Sequence, residues 1–225
     1  MLTPKAKILH AKTEAELASH QVVQVGNTCS FHAISTGLKM LLNFSLDPNS
    51  LSDEVNRLWW RGRFMRVFPN WAVTPRMQVR IVRYLSRLHK LPISASFHHG
   101  DPENLPNILA DQFTIPIVTI LWPWRKAPQI FLGGTNHNFN STRSAGGHSM
   151  IFAAYNPNQT TDGHFITPWG FINPWIDNAR HLFWMTDEDF RRAWRFWLPG
   201  IGHNPLVLIR REDLSPESLP TNSSD

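Results

Sequence analysis

The sequence predicts an α+β fold, in which a helical first half packs against a second half built from antiparallel strands. Helix start signals and apolar residues at three-to-four spacing fill the chain up to about residue 111. Short β-branched apolar runs replace them from Ile115 onwards. The 225 residues, 42% hydrophobic and 17% charged, match one globular domain, which we place at 1–214. The Ser- and Pro-rich tail at 215–225 is predicted to be disordered.

The helices are predicted chiefly from their capping residues. Thr13 precedes a short helix, and the Gly26-Asn27 turn makes Thr28 the cap of a second helix, which buries its apolar side. Thr74 followed by Pro75 opens another helix with a cap and a proline at the first helical position. The predicted helices are 14–20, 28–42, 52–61, 74–89, 101–111 and, in the second half, 186–196.

Four apolar runs predict the strands, at 115–122, 148–155, 165–172 and 206–210. Residues 156–163 form the predicted hairpin loop between the second and third strands. Residues 123–145 are rich in Gly, Asn, Ser and Thr and predict a long loop, and loops of this length are usually functional or mobile. Within it, four residues either line a substrate cleft or belong to an ordinary solvated loop: Asn136, His137, Asn138 and Asn140.

The formal charge of +5 does not by itself predict a nucleic-acid partner. The basic residues fall into two groups, and no recognised nucleic-acid motif accompanies them, so we interpret them as solvated helix faces. The first group is Arg57, Arg61, Arg63 and Arg66, and the second is Arg76, Arg80, Arg83 and Arg87.

One cysteine, Cys29, excludes an intramolecular disulfide and a zinc site made of cysteines. A reducing, cytoplasmic location is expected, since residues 1–13 hold no apolar run long enough for a signal peptide. No membrane span is predicted, because the longest apolar stretch, 113–124, is short and interrupted by Pro116 and Pro123. We expect no cofactor.

Cys29 lies in the first turn of the helix that Thr28 opens. A thiol is a useful nucleophile as thiolate, and the unpaired N–H groups and dipole of a helix N-terminus lower the pKa of a cysteine placed there. We therefore expect an activated nucleophile. The alternative is that Cys29 is a small buried apolar residue, as lone cysteines often are.

Three further residues carry complementary chemistry. Gln24 lies just before Cys29 across the turn, where its amide can donate to a developing oxyanion. His148 follows two glycines at the start of a strand and is the expected base. Asn173 follows the next strand and is the expected partner that orients His148, with Asp177 as the alternative.

The order Gln24, Cys29, His148, Asn173, with Trp175 after Asn173, resembles the papain-like cysteine peptidase superfamily. In that superfamily a glutamine precedes a helix-capping cysteine, a distant histidine begins a strand, and Asn or Asp comes before a Trp-containing turn. The resemblance spans about 21–210, but only the short motifs around the three catalytic positions are specific. It implies a papain-like fold, with the nucleophile helix packed on a C-terminal antiparallel sheet.

Within the superfamily, the chain most resembles the bacteriocin-leader-processing peptidases. The similar segments are the helix and strand at 104–122, the sequence GGHSMIFAAY at 146–155, the Asn-Pro-Trp at 173–175 and the helix at 187–190. That branch usually has an acidic residue before the cysteine and a glycine after it, whereas this chain has Thr28 and Ser30. The sequence QVGNTC at 24–29 is also similar to the cysteine box of ubiquitin-specific proteases, which have larger catalytic domains.

Other histidines offer weaker alternatives. His32, three residues after Cys29 on the same helix, is a second candidate base. His98 and His99 with Asp101 are a candidate metal pair, but adjacent residues of an extended segment point to opposite sides and no third ligand is evident, so we predict no metal site.

The predicted function is a cysteine peptidase that hydrolyses a peptide or isopeptide bond through a Cys29 thioester, with a peptide or protein substrate as partner. Two alternatives stay open. One is an acyl or amide transferase, similar to a transglutaminase, on the same residues. The other is an inactive peptide-binding module that grips its ligand through aromatic residues.

Overall fold

The computed structural model describes residues 5–58, 73–133, 135–142, 144–175 and 181–212. Within these residues, eight strands form one sheet and two short strands form a separate ribbon, and every strand pair is antiparallel. The strands are β1 (Lys7–Ile8), β2 (Ile93–His99), β3 (Thr114–Trp122), β4 (Phe131–Leu132), β5 (Gly146–Tyr155), β6 (Thr160–Thr161), β7 (Phe165–Ile166), β8 (Trp169–Ile172), β9 (Phe183–Met185) and β10 (Pro205–Arg211). The helices are α1 (Glu14–Ala18), α2 (Cys29–Leu42), α3 (Pro48–Leu58), α4 (Pro75–His89), α5 (Leu105–Ile108) and α6 (Asp187–Arg195). The mixed fold with a large antiparallel sheet is compatible with the α+β prediction.

The large sheet runs in the order β2-β10-β3-β5-β8-β9-β4, and β1 pairs with the far end of β5. Strand β5 is therefore central, with β3 on one side and β8 on the other. The buried apolar residues of β3 and β5 pack beneath helix α2 on one face, where Ile115 approaches Gly37. On the other face Phe152, Phe171 and Phe190 form an aromatic layer that brings α6 onto the sheet.

Local signals account for most helix starts. Thr13 and Glu16 form the reciprocal capping box of α1, Thr74 accepts from Met77 at the start of α4, and Thr186 caps α6. Thr28 occupies the cap position of α2, but its hydroxyl donates to the Val25 carbonyl instead of accepting from the helix.

Two helix predictions differ from the structure in extent. Helix α1 ends at Ala18 rather than at His20. Helix α3 begins at Pro48, four residues early, because Asp47 accepts from the Ser50 N–H and supplies the same cap-and-proline signal as Thr74-Pro75. The predicted end of that helix lies outside the described residues.

The helix predicted at 101–111 is wrong over most of its length. The Asp101 carboxylate accepts from the Glu103 N–H and the Asn104 side chain, so it closes a local turn, and only Leu105–Ile108 is helical.

The strand predictions locate the centre of the sheet and miss its periphery. Strands β3, β5 and β10 are confirmed within two residues at each end. The strand predicted at 165–172 divides into β7 and β8 because Pro168 between them has no N–H to donate. The predicted hairpin loop contains β6, which pairs with β7, and the predicted long loop contains β4. Strands β1, β2 and β9 were not predicted.

The second arginine group lies on a solvated helix face, as predicted: all four members on α4 are exposed, namely Arg76, Arg80, Arg83 and Arg87. In the first group, Arg61, Arg63 and Arg66 lie outside the described residues, as do the tail at 215–225 and Asp177. None of the described helices combines the length and the hydropathy needed to cross a membrane.

Candidate active site

His148 and Asn173 form a buried hydrogen-bonded pair. His148 Nε2 lies 2.7 Å from Asn173 Oδ1, and the two side chains are 4% and 0% exposed. An amide oxygen is an acceptor only, so Nε2 carries the hydrogen and Nδ1 of the neutral imidazole carries the lone pair. The pair thus orients His148 with Nδ1 as its basic nitrogen.

Neighbouring strands and an aromatic ring hold this pair. His148 is the third residue of β5, and Asn173 directly follows β8, the strand that pairs with β5. The indole of Trp175 stacks on the His148 ring, with centroids 4.6 Å apart and planes 28° apart. The stacked ring covers the imidazole and keeps water from the hydrogen bond.

The two glycines before His148 allow neighbouring side chains to approach the backbone of β5 closely. A Cβ on Gly146 would lie 2.6 Å from the Trp122 ring. A Cβ on Gly147 would lie 2.7 Å from a Leu121 methyl and 3.3 Å from the Ile120 carbonyl oxygen. Both glycines therefore let β5 pack closely against β3 immediately before His148.

Burial lowers the pKa of His148 from 6.5 to about 4, and the hydrogen bond that His148 donates to Asn173 opposes that shift without cancelling it. At neutral pH the imidazole is uncharged. It is therefore able to accept a proton, as a general base must.

Cys29 is the first residue of α2 and is 2% exposed. Its thiol lies against the start of β5, close enough to Ser149, the residue after His148, for the backbone and hydroxyl of Ser149 to affect its pKa. The structure thus places Cys29 beside the residue that follows His148.

Burial raises the pKa of the Cys29 thiol, and hydrogen bonds from the backbone and hydroxyls of Ser149 and Ser30 only partly oppose that rise. The expectation that the helix tip lowers this pKa is therefore wrong for the resting protein. The reason is that the helix N-terminus is covered by β5, so desolvation of the charged sulfur is the larger effect. The resting site holds a neutral thiol and a neutral imidazole.

Gln24 comes close to Asn173 through its backbone. The Gln24 N–H donates to the Pro174 carbonyl oxygen at 2.7 Å, which ties the segment before α2 to the turn that carries Asn173 and Trp175. The side-chain amide donates one hydrogen to the Gly26 carbonyl at 3.0 Å. An amide nitrogen has two hydrogens, so the second is left to donate elsewhere.

The weaker alternatives have structural roles. Both ring nitrogens of His32 face backbone carbonyls, Nδ1 that of Thr28 at 3.0 Å and Nε2 that of Val23 at 3.2 Å, so His32 ties the Gln24 segment to α2. His98 contacts Ser96, and His99 contacts the His203 carbonyl. No group of three or more His, Cys, Asp or Glu side chains in the described part of the chain is arranged to hold a metal ion.

Two of the loop asparagines lie at a surface cavity and not at the candidate active site. Asn138 and Asn140 line a surface cavity of about 500 Å³ with Arg125 and Gln129. Asn138 Oδ1 accepts from the Ile130 and Asn140 N–H groups, so this side chain also shapes its own loop. Cys29, His148 and Asn173 do not line this cavity.

Sequence reasoning did not single out Gln21, which holds Asn173 in place. Gln21 Oε1 accepts from the Asn173 N–H at 3.0 Å, and its Nε2 donates to the His181 carbonyl at 3.2 Å. The side chain is 4% exposed. Its polarity just ahead of two valines was the available signal, but an isolated glutamine on a short extended segment does not reveal a partner 152 residues away.

The sequence also did not reveal a buried polar cluster next to Cys29, which consists of Ser30, Gln78, Thr119 and Ser149. All four side chains are buried and joined by hydrogen bonds. The available signal was Gln78, a polar residue three, four and seven positions before the apolar residues Ile81, Val82 and Leu85 of α4.

Comparison with models of known protein families gives no match to this chain, and comparison with curated proteins gives no match either. The function is therefore inferred from the geometry around Cys29, His148 and Asn173.

Proposed function

We propose that this chain is a papain-like cysteine peptidase that hydrolyses a peptide or isopeptide bond, with Cys29 as nucleophile and His148 as base. The observation that carries the proposal is the buried 2.7 Å hydrogen bond between His148 Nε2 and Asn173 Oδ1, next to the strand position where the Cys29 thiol lies. The bond fixes the tautomer that a base needs, and Trp175 covers it.

In this mechanism His148 Nδ1 takes the proton from Cys29 as its sulfur attacks the substrate carbonyl. Proton transfer and attack occur together, because the neutral thiol and neutral imidazole are the stable resting forms. The imidazolium is stabilised by Asn173 Oδ1 and then gives its proton to the departing amine. A water activated by His148 hydrolyses the Cys29 thioester and regenerates the thiol.

The developing oxyanion is held by the Cys29 N–H and the Gln24 amide. A first-turn N–H has no acceptor within its own helix, so that of Cys29 is suited to accept a ligand oxygen. The second hydrogen of the Gln24 amide is the other donor. The hydrogen bond from the Gln24 N–H to the Pro174 carbonyl ties the Gln24 segment to the turn that carries Asn173.

The test is cleavage of a peptide library by the wild type and by Cys29→Ala. We expect cleavage by the wild type alone, with a thioester trapped when the wild type is quenched in acid. Cleavage retained by Cys29→Ala would contradict the assignment of the nucleophile. Added amine distinguishes the transferase alternative, because amide products in place of hydrolysed ones require an acceptor other than water.

The 2% exposure of Cys29 favours one alternative, the inactive peptide-binding module. Substrate reaches a sulfur this buried only when neighbouring segments move aside. A peptide that binds with micromolar affinity and is neither cleaved nor attached to Cys29 would establish the binding module and refute the peptidase.

A further inference from the structure

The amide of Gln78 bridges the two elements that carry the proposed nucleophile and base. Its Nε2 lies 2.9 Å from Ser30 Oγ and 2.9 Å from Ser149 Oγ. Ser30 directly follows Cys29 on α2, and Ser149 directly follows His148 on β5. Both hydrogens of one amide are therefore used to join the residue after the nucleophile to the residue after the base.

The two hydroxyls also contact each other and the thiol. Ser30 Oγ donates to Ser149 Oγ at 3.1 Å, and both serines lower the pKa of the Cys29 thiol, which burial raises. Thr119, directly opposite Ser149 on β3, completes the cluster at 2.9 Å from Ser149 Oγ. An oxygen that accepts from Gln78 keeps its own hydrogen for another partner, so Gln78 directs the serine hydroxyls toward their neighbours, the sulfur among them.

Gln78 is poorly explained by stability alone. It is 0% exposed, and its neighbours on the inner face of α4 are apolar. Among the described residues its Oε1 has no hydrogen-bond partner, and a buried acceptor without one destabilises a fold. An apolar residue of similar size would avoid that loss.

We propose that Gln78 is a positioning residue that holds Cys29 in register with His148 by clamping Ser30 to Ser149. The inference rests on the proposed function, since it assumes that the thiol reacts with the help of His148. The hydrogen bonds of the Gln78 amide go to hydroxyl groups and not to the Cys29 sulfur. Gln78 acts through the two serines, both of which oppose the rise in the pKa of the Cys29 thiol.

The experiment compares Gln78→Met, Ser149→Ala and their double variant, with Ser35→Ala as the matched control. Ser35 is a buried serine on α2 whose hydroxyl has no partner among the described residues. The first readout is the rate of Cys29 alkylation by iodoacetamide as a function of pH, which reports the thiol whether or not the protein is a peptidase. The second is kcat and KM on a peptide found in the library screen.

We expect Gln78→Met to move the alkylation midpoint to higher pH by about one unit and to lower kcat about tenfold or more with little change in KM. Ser35→Ala should change neither. The double variant should be no worse than the more severe single one, because Gln78 and Ser149 act on the sulfur as one unit.

The proposal is wrong if Gln78→Met lowers only the Tm and leaves the alkylation midpoint and kcat unchanged. It is also wrong if the shifts of the two single variants add up in the double variant. If Gln78→Met fails to fold, Ser30→Ala and Ser149→Ala decide the matter, since the proposal requires both to raise the midpoint. If the wild type cleaves no peptide but the alkylation midpoints of the variants shift as expected, the proposed peptidase activity is refuted. The effect of Gln78 on the Cys29 thiol is then still supported.

Discussion

Replacing His148 by glutamine should remove a specific loss of stability in acid. Glutamine is of similar length, can still donate to Asn173 Oδ1 and does not titrate. In the folded wild type the His148 pKa is about 4, against an ordinary value of 6.5 once the chain unfolds. Between these values the unfolded chain binds a proton that the folded chain does not, so the free energy of unfolding falls as pH is lowered through this window.

The magnitude follows from the size of that gap. At about 1.4 kcal/mol per pKa unit, the gap between 6.5 and about 4 amounts to about 3 kcal/mol by pH 4. The loss is absent above pH 7, where the imidazole is neutral in both the folded and the unfolded chain. It grows no further once the pH is well below 4, where both forms are protonated. A loss of this size is a large fraction of the stability of an ordinary domain.

The assay is urea unfolding at a series of pH values from 7.5 to about 4, analysed for wild type and His148→Gln. Other groups titrate in both proteins, so the difference between the two curves isolates the imidazole. His164→Gln, which removes an exposed histidine from the β6–β7 ribbon, is the control and should follow the wild type. Parallel curves for wild type and His148→Gln would refute the reasoning, because they would mean that His148 is not held neutral by burial.

Three further predictions concern the proposed reaction. The pH profile of kcat/KM should have an acid limb near pH 4, where His148 gains a proton. Its alkaline limb should lie above the ordinary range of a cysteine thiol, because burial raises the pKa of Cys29. An alkaline limb near neutral pH would instead indicate a preformed ion pair. Asn173→Asp places a negative charge beside the imidazole and should raise the His148 pKa, so the acid limb moves toward neutral pH. Asp177→Asn should leave the pH profile unchanged. A profile that changes in Asp177→Asn and not in Asn173→Asp would make Asp177 the orienting residue. Gln24→Ala should lower kcat by roughly 10² to 10³ with little change in KM, and an unchanged kcat would exclude Gln24 from the oxyanion hole.

The strongest local signals in the sequence predicted their elements well. The cap and proline at Thr74-Pro75 located the start of α4, and the β-branched run after residue 114 located β3. These elements are specified by neighbours a few residues apart, so a single sequence contains the information. Asp101 shows the limit of such signals, because the same side chain that caps a helix also closes an isolated turn.

Edge elements were harder to predict because partners distant in sequence decide them. Strand β2 pairs with β10, more than a hundred residues later, through backbone groups that every residue possesses. Strand β9 is three residues long and exists because β8 and β4 lie beside it. Short strands of this kind carry no pattern of their own.

The sequence by itself determined which residues have the chemistry of the candidate site: a lone cysteine at a helix start, a histidine at the head of a strand, and an asparagine after the next strand. Only the tertiary structure decided which of them meet and in what environment. It paired His148 with Asn173, turned the Gln24 amide toward Gly26, and buried Cys29 so that its pKa rises instead of falling. The physical reason is that chemical identity is local, whereas desolvation and hydrogen bonding depend on every segment that packs around a group.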